Sequence, residues 1–539
     1  MPPSFRLLTQ PMHSHFTRCS LLAVSFAALL TTTAQAQHPQ LLTPVANVPA
    51  KAHDWLHKKE AIDASIVQTE YVRIDTAALL RQSGPKFQTF SLRLFGKLHV
   101  LDFNRTKNVL GYHVLHGTVR GRSGDAIFVV APNGQTHATI HLVEDSYALA
   151  HSTHTDVHLL HRIDDSKLPP HAHPIPVKTV APDSGGPATP AGGNDTLLDV
   201  AMFYTPRALA AAGNATSIQL KCVNSIEQAN ATNKASKVAA EFRLVYMALT
   251  NYAEGTSDLG RFRKTNDGYM DEVHKIRNTF GADLMHLITQ PAKLAYCGVA
   301  YLMNNVSAGF AQYAFAVTVQ SCMNGNVVAH ELGHNIGCHH DRNNAGGASY
   351  PHSYGFRTTD NKYRTVMAYS PGSRVNVWSS PNVKHLTYTM GKTNSEDNAL
   401  TIAKTKLTVS NFRAQKAVIF CETIGAIAGK FNQVPKIHGQ GTINSTFPPK
   451  ITISLQWYFA NGLLVIGASE INVPYLGGIL VPAPQTFAPI TASPYPIILD
   501  ASALKNLPKG SKLWIQALFN DSAAVQGVSA TNGMKIVIP

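Results

Sequence analysis

The stretch VVAHELGHNIGCHHDR, residues 327 to 342, constrains this chain more tightly than any other. His330 and His334 are four residues apart, so a helix places both imidazoles on one face, one turn apart. That is the separation two nitrogens need to share a tetrahedral zinc. Glu331 lies beside them, positioned to take a proton from an attacking water. Gly337 stands where the helix must stop and turn sharply, and the turn brings His340 back as a third ligand. Three neutral ligands leave one position for water, which marks a catalytic rather than a structural site. With His 25, Gly 37 and all 32 Asp+Glu taken as an upper bound for Glu, the pattern H-E-x-x-H-x-x-G-x-x-H should arise by chance on the order of 0.0002 times. His339 falls outside the spacing and reads as a bystander.

The rest of the chain sets the context. Hydrophobic residues make up 44% of the 539 and charged residues 14%, which excludes a charged disordered tail and a coiled coil. The excess of 46 Lys+Arg over 32 Asp+Glu gives +14, but no Lys/Arg run, basic helix or aromatic-stacking motif focuses it, so nucleic-acid binding rests on charge alone and is set aside. Arg6 and Arg18, the apolar run LLAVSFAALL from Leu21 to Leu30, and Ala34-Gln35-Ala36 as a small-x-small site predict a signal peptide over 1–36. Its apolar core is about half the roughly 20 residues a membrane span needs, and no later window is long enough. The chain therefore reads as secreted, without an integral membrane segment. Cys222, Cys297, Cys322, Cys338 and Cys421 remain after cleavage. Export permits disulfides, and Cys297 with Cys322, which flank one short segment, are the disulfide candidates; the other reading is that all are buried thiols.

Five segments are expected. After the signal peptide comes a β-rich region, 37–167, with alternating strands and an Asn133-Gly134 hairpin signal. A Pro/Gly/Ala-dense linker, 168–195, is expected to be exposed and to hold the processing site. The block 196–415 mixes strands and helices: LLDVAMFYT as a strand, Thr205 to Leu249 as largely helical, DEVHKIRNTFG as a helix closed by Gly281, and ADLMHLIT as a buried strand. From 416 to 539, β-branched runs separated by Pro and Gly suggest a β-sandwich accessory domain.

Downstream of His340, RTVMAYS holds Met367 and Tyr369. In zinc proteases with the long histidine motif a Met in a tight turn lies beneath the metal. On these residues the chain resembles the metzincins. His340 followed by Asp341 resembles their reprolysin/adamalysin branch, and GVAYL resembles the edge strand on which that branch lays out substrate. The wider match, about Tyr71 to Arg413, is to secreted bacterial reprolysin-like enzymes of the peptidyl-Asp metalloendopeptidase type.

The resemblance implies an α+β fold with a metzincin-type catalytic domain, a preceding β-rich propeptide, one catalytic Zn2+, and protein or peptide substrates. Cleavage before acidic residues is implied as well. Gly298, Val299, Ala300 and Tyr301 become substrate-binding candidates by β-augmentation. Tyr369, as in astacins and serralysins, either assists the transition state or simply packs. Arg374 is the candidate cation for acidic selectivity, its alternative being a solvated surface residue. A Ca2+ ion is compatible with such a domain, although no residue pattern calls for one. The region from Gln37 to the linker has no Cys, so latency would need another group, with His171 and His173 of PPHAHP as candidates. The competing class is a surface-binding or adhesive protein with a structural zinc. No pattern in the sequence specifies an oligomeric state.

Overall fold

The computed structural model describes residues 38–60, 63–80, 88–122, 124–152, 155–177, 197–415, 419–422, 435–441, 448–454, 461–476, 478–490, 497–522, 524 and 526–539. The expected signal peptide and the linker residues 178–195 lie outside them. The described chain is mixed α+β and divides into an N-terminal sheet, a central α+β block and C-terminal sheets. No helix among the described residues is long and apolar enough to cross a membrane.

A nine-stranded antiparallel sheet runs from Leu42–Pro44 to His158–Ile163. Its Asn133-Gly134 hairpin closes as expected, with Gly134 at φ 83° and the Asn133 side chain accepting from the Gln135 N–H. The helix Ala50–Glu60, between the strands Leu42–Pro44 and Ile66–Ile74, was not expected. Both faces of the sheet are covered. Phe90, Leu101, Phe103, Leu115 and Phe128 fill one core, while the alternate residues Val114, Ile127 and Val129 join the core of the central block. The period-2 alternation of strand side chains puts neighbours such as Leu115 and Val114 on opposite faces.

The central block is built on a six-stranded sheet. Its strands are β1 (Ile175–Pro176), β2 (Leu197–Tyr204), β3 (Glu241–Leu249), β4 (Leu284–Thr289), β5 (Gly298–Leu302) and β6 (Phe315–Val319), in the order β1-β5-β6-β4-β2-β3. Only the β5–β6 pair is antiparallel. Helix α1 (Ala215–Ala235), capped by the Asn214 side chain on the Ser217 N–H, lies between this sheet and the N-terminal one. Helix α2 (Val327–Asn335) carries the histidine motif and is buried along its whole length. The expected helix after Asp271 forms over Glu272–Phe280 and ends at Gly281, φ 66°.

Two expectations give way. The stretch expected to be helical as far as Leu249 leaves the helix at Ser236, and Glu241–Leu249 is a strand paired with β2. Asn230 holds it there, donating to the Phe242 carbonyl and accepting from its N–H. The linker expected to be exposed is docked through its described part: Leu168 packs beside Cys297 and Cys322, His171 and Val177 are buried, and Ile175–Pro176 pairs with β5.

In the C-terminal region a six-stranded and a three-stranded sheet contribute Ile515 and Phe519, and Ile437, Ile451 and Ile453, to one shared core. A separate hairpin pairs Glu470–Tyr475 with Gly478–Pro482.

Glu227 of α1 anchors the contact with the N-terminal sheet. Its side chain is 1% exposed and lies 2.7 Å from Lys107 Nζ and 3.0 Å from His116 Nε2. Burial would raise this carboxyl, but Lys107 and His116 outweigh burial and hold it down at about 2. A carboxyl that titrates below its unfolded value of 4.5 contributes stability that is whole above that pH and is lost as pH falls towards about 2. Glu227→Gln is therefore expected to destabilise the chain by about 3 kcal/mol at neutral pH. It should also flatten the decline in melting temperature between pH 4.5 and 2; thermal melts of both proteins across that range measure it.

Candidate active site

Helix α2 stops at Asn335, and Gly337 at φ 99° turns the chain, with the Cys338 N–H closing back on the Gly333 carbonyl at 2.9 Å. The return leg His339–Asp341 pairs with Tyr354–Gly355. This brings His330, His334 and His340 together, all fully buried. Each Nδ1 faces a backbone carbonyl: Val366 at 2.8 Å, Cys338 at 2.9 Å and Asn344 at 3.4 Å, respectively. A carbonyl only accepts, so Nδ1 carries the hydrogen and each Nε2 presents a lone pair. The three Nε2 atoms stand 3.0–3.2 Å apart. Tetrahedral bonds of about 2.0–2.1 Å to one ion put nitrogens roughly 3.3 Å apart, so the residues present fit a metal. Burial, then the neighbouring imidazoles, keep His330 and His340 well below the usual histidine range, and burial takes His334 down to about 3. All three stay neutral, as ligands must.

Met367 lies against the helix beneath this cluster. Its Sδ is 2.7 Å from where a Cβ on Gly333 would stand, with Trp378 at 3.1 Å. Gly333, which the spacing argument passed over, is what lets the turn approach. Asp341 ties the turn down: its Oδ2 accepts the Tyr369 N–H at 2.9 Å, and its Oδ1 meets Arg357 at 2.9 Å. His339 sits outside the cluster, accepting the His340 N–H on Nδ1.

Glu331 packs against β5. A Cβ on Gly298 would stand 2.5 Å from Glu331 Oε1 and 2.8 Å from its Cδ, so only glycine leaves room for the carboxyl. Val299 and Ala300 pair with Val317 and Ala316 of β6, and the Tyr301 ring packs on Tyr313 with its hydroxyl beside Arg263. Cys297, just before β5, is disulfide-bonded to Cys322. Cys222 and Cys338 are buried free thiols, and Cys421 has no described side-chain environment.

The strand expected at the edge is covered. Residues 170–177 run alongside β5, with hydrogen bonds from Cys297 to Pro170, from Ala172 to Gly298 and from Val177 to Leu302. The segment delivers His171 to Glu331, Nδ1 to Oε1 at 2.8 Å, with its ring stacked 3.7 Å from that of His330. His171 Nε2 faces Arg374 Nη2 at 3.2 Å. A guanidinium only donates, so Nε2 accepts and Nδ1–H donates to the carboxylate. His171 thus contacts Glu331 and stands outside the triad of nitrogens. His173 is exposed, its ring 6.0 Å from that of His340. The Tyr369 hydroxyl donates to the carbonyls of His171 at 2.7 Å and Ala172 at 3.2 Å. Burial pushes its pKa up, with Glu331 and Asp341 adding to the rise, so it remains a donor. Arg374, for which a solvated surface place was the alternative, is 6% exposed and also donates to the Gly325 carbonyl.

Residues 194–379 match the model of metallopeptidase family M12. The chain is 30% identical over 332 residues to a peptidyl-Asp metalloendopeptidase of Xanthomonas campestris pv. campestris, covering 59% of this chain and 75% of that one. It is 32% identical over 273 residues to a protein of the same name from Stenotrophomonas maltophilia, covering 48% and 63%. Among solved structures, metalloproteinase-II from Bacteroides fragilis aligns at 14% identity over 61% of this chain and 95% of that one, with a TM-score of 0.33.

The close approach of Gly298 to Glu331 makes Gly298→Ala informative. The added methyl should displace the carboxyl while the surrounding sheet stays intact. Activity on casein is expected to fall about a hundredfold, with the melting temperature within a few degrees of the parent; full activity would show that the approach does not matter.

Proposed function

The chain belongs to metallopeptidase family M12 and is a metalloendopeptidase; from that premise we propose that it is a secreted zinc endopeptidase, made latent, that prefers bonds before acidic residues. The observation that carries this is the convergence of three neutral imidazole lone pairs beside a buried carboxyl. His330, His334 and His340 would hold the zinc. When bound, it supplies a Lewis acid that polarises the scissile carbonyl and makes water a better nucleophile.

The remaining work falls to the chain's own groups. Glu331 accepts a proton from the attacking water at its carboxylate and passes it to the leaving amine. Tyr369 aims its hydroxyl at the position of a peptide carbonyl in the cleft, as it does now with those of His171 and Ala172, and so can stabilise charge that develops there. The backbone of β5 lines up an extended peptide once residues 170–177 have left it. Secretion rests on the signal-like N-terminus, and acidic preference on the names of the relatives together with the buried Arg374 near Glu331.

Latency follows from His171. Its N–H occupies the oxygen of Glu331 that would receive the proton, and its ring covers His330.

Two outcomes are expected. Glu331→Gln should keep bound zinc, measured by atomic absorption, and lose about 10²- to 10⁴-fold in casein hydrolysis. A mutant as active as the parent would remove Glu331 as the base, whereas a parent without chelator-sensitive hydrolysis on zymography would leave the adhesive protein with a structural zinc as the better reading. His171→Ala in the unprocessed chain should raise basal hydrolysis several-fold; unchanged latency would remove His171 from the account.

A further inference from the structure

Arg374 does not stand alone beside the cleft. Arg364 enters the turn that holds Met367, and its side chain is 3% exposed. Its Nε donates to the Gly372 carbonyl at 2.8 Å and its Nη1 to the Ala368 carbonyl at 2.9 Å. Those two bonds aim Nη2 at Asp165 Oδ2, 3.3 Å away. Arg374 Nε faces the same oxygen at 3.5 Å and has no hydrogen-bond partner of its own. Tyr363–Arg364 and Ser373–Arg374 pair as parallel strands with Arg364 opposite Arg374, so the register itself sets the two guanidiniums side by side.

Two like charges opposite one another repel, and burial strengthens the repulsion by removing water. An anion between them reverses the sign. Among the described residues, Asp165 supplies the carboxylate within ion-pair distance of either arginine. Asp165 belongs to the same segment that carries His171 onto Glu331. Arg374 joins both ends of it, one nitrogen toward Asp165 and another toward His171 Nε2. Beside Arg374 and Asp165 opens a cavity of about 820 Å³, walled on one side by Asn324 and Gly325 and on the other by residues of the N-terminal sheet such as His116 and Asp125.

We propose that Arg364 and Arg374 together form the recognition site for an acidic side chain of the substrate, and that Asp165 fills this site in the latent chain. The inference rests on the acid-preferring endopeptidase reading and adds to it a second specificity-determining residue and the group that holds its place. Once the segment leaves, the two buried cations lose the carboxylate they share and are free to take another. A substrate carboxylate restores the neutralisation Asp165 provided, whereas an amide of the same shape leaves both cations unpaired. Arg364 is well suited to this, because its fork is fixed by two backbone carbonyls and only one arm remains for a ligand.

The test expresses the full chain, takes it in its processed, active form, and uses paired peptides differing only in Asp or Asn after the scissile bond. The parent is expected to favour the Asp peptide, and Arg364→Gln to reduce the ratio of the two kcat/KM values about tenfold to a hundredfold. Loss of a merely structural arginine would lower both values together and leave the ratio unchanged. A parent that does not distinguish the peptides overturns the acid-preferring reading and this inference with it. A discriminating parent with an equally discriminating Arg364→Gln overturns the inference alone. Should Arg364→Gln fail to fold, Asp165→Asn in the unprocessed chain decides: hydrolysis of casein before processing should rise several-fold, and unchanged latency counts against Asp165 as the occupant.

Discussion

Three hydrogen bonds from imidazole Nδ1 to backbone carbonyls govern the functional half of this molecule. They decide which nitrogen of each histidine carries a proton and therefore where the lone pairs point. Their acceptors come from separate pieces of chain: Val366 in the turn that holds Met367, Cys338 at the end of α2, and Asn344 beyond the return leg. Much of the surrounding structure serves to hold those carbonyls still. Asp341 fixes the turn through the Tyr369 N–H, Gly333 admits Met367, and Asn335 binds the carbonyls of Tyr301 and Phe315, locking α2 to the sheet.

The same sheet brings Glu331 and the cleft segment together. Because β5 is bonded to β6 on one side only, its other edge is free to take an extended chain, and here it takes residues of the same polypeptide. The segment meets the site at three kinds of contact: backbone to β5, imidazole to Glu331, and carboxylate to the paired arginines. Through them the occupant outlines the cleft it covers.

What was legible in the sequence was what depends on near neighbours. The i, i+4 histidines, the glycine turn and the hairpin at Asn133-Gly134 are local geometry, and the chain follows them. Glu241–Leu249 was misread because Glu, Leu, Met and Ala in it are good helix formers, while its strand form comes from pairing with β2 and from the Asn230 clamp. The described part of the linker, 168–177, was misread from composition alone. Leu168 and the pair Ile175–Pro176 do pack, against surfaces made by residues more than a hundred positions later in the chain. Arg364 carried no signal, since nothing in RTVMAYS distinguishes an arginine that pairs across a short ladder from one at the surface. The roles of Gly298 and Gly333 were also hidden, because a glycine that makes room for a distant side chain looks like any other.

Helix α1 carries one further consequence. The side it turns to the N-terminal sheet is mixed: Asn224 bonds Thr139 and the Ile127 carbonyl and Glu227 meets Lys107 and His116, while Val114, Ile127 and Val129 of the sheet share the apolar core of the central block. Polar groups of this kind exchange a protein partner for water at small cost, whereas apolar residues stripped of their cover would seek another protein. Parting the sheet from the central block would therefore leave a face that water wets only in part.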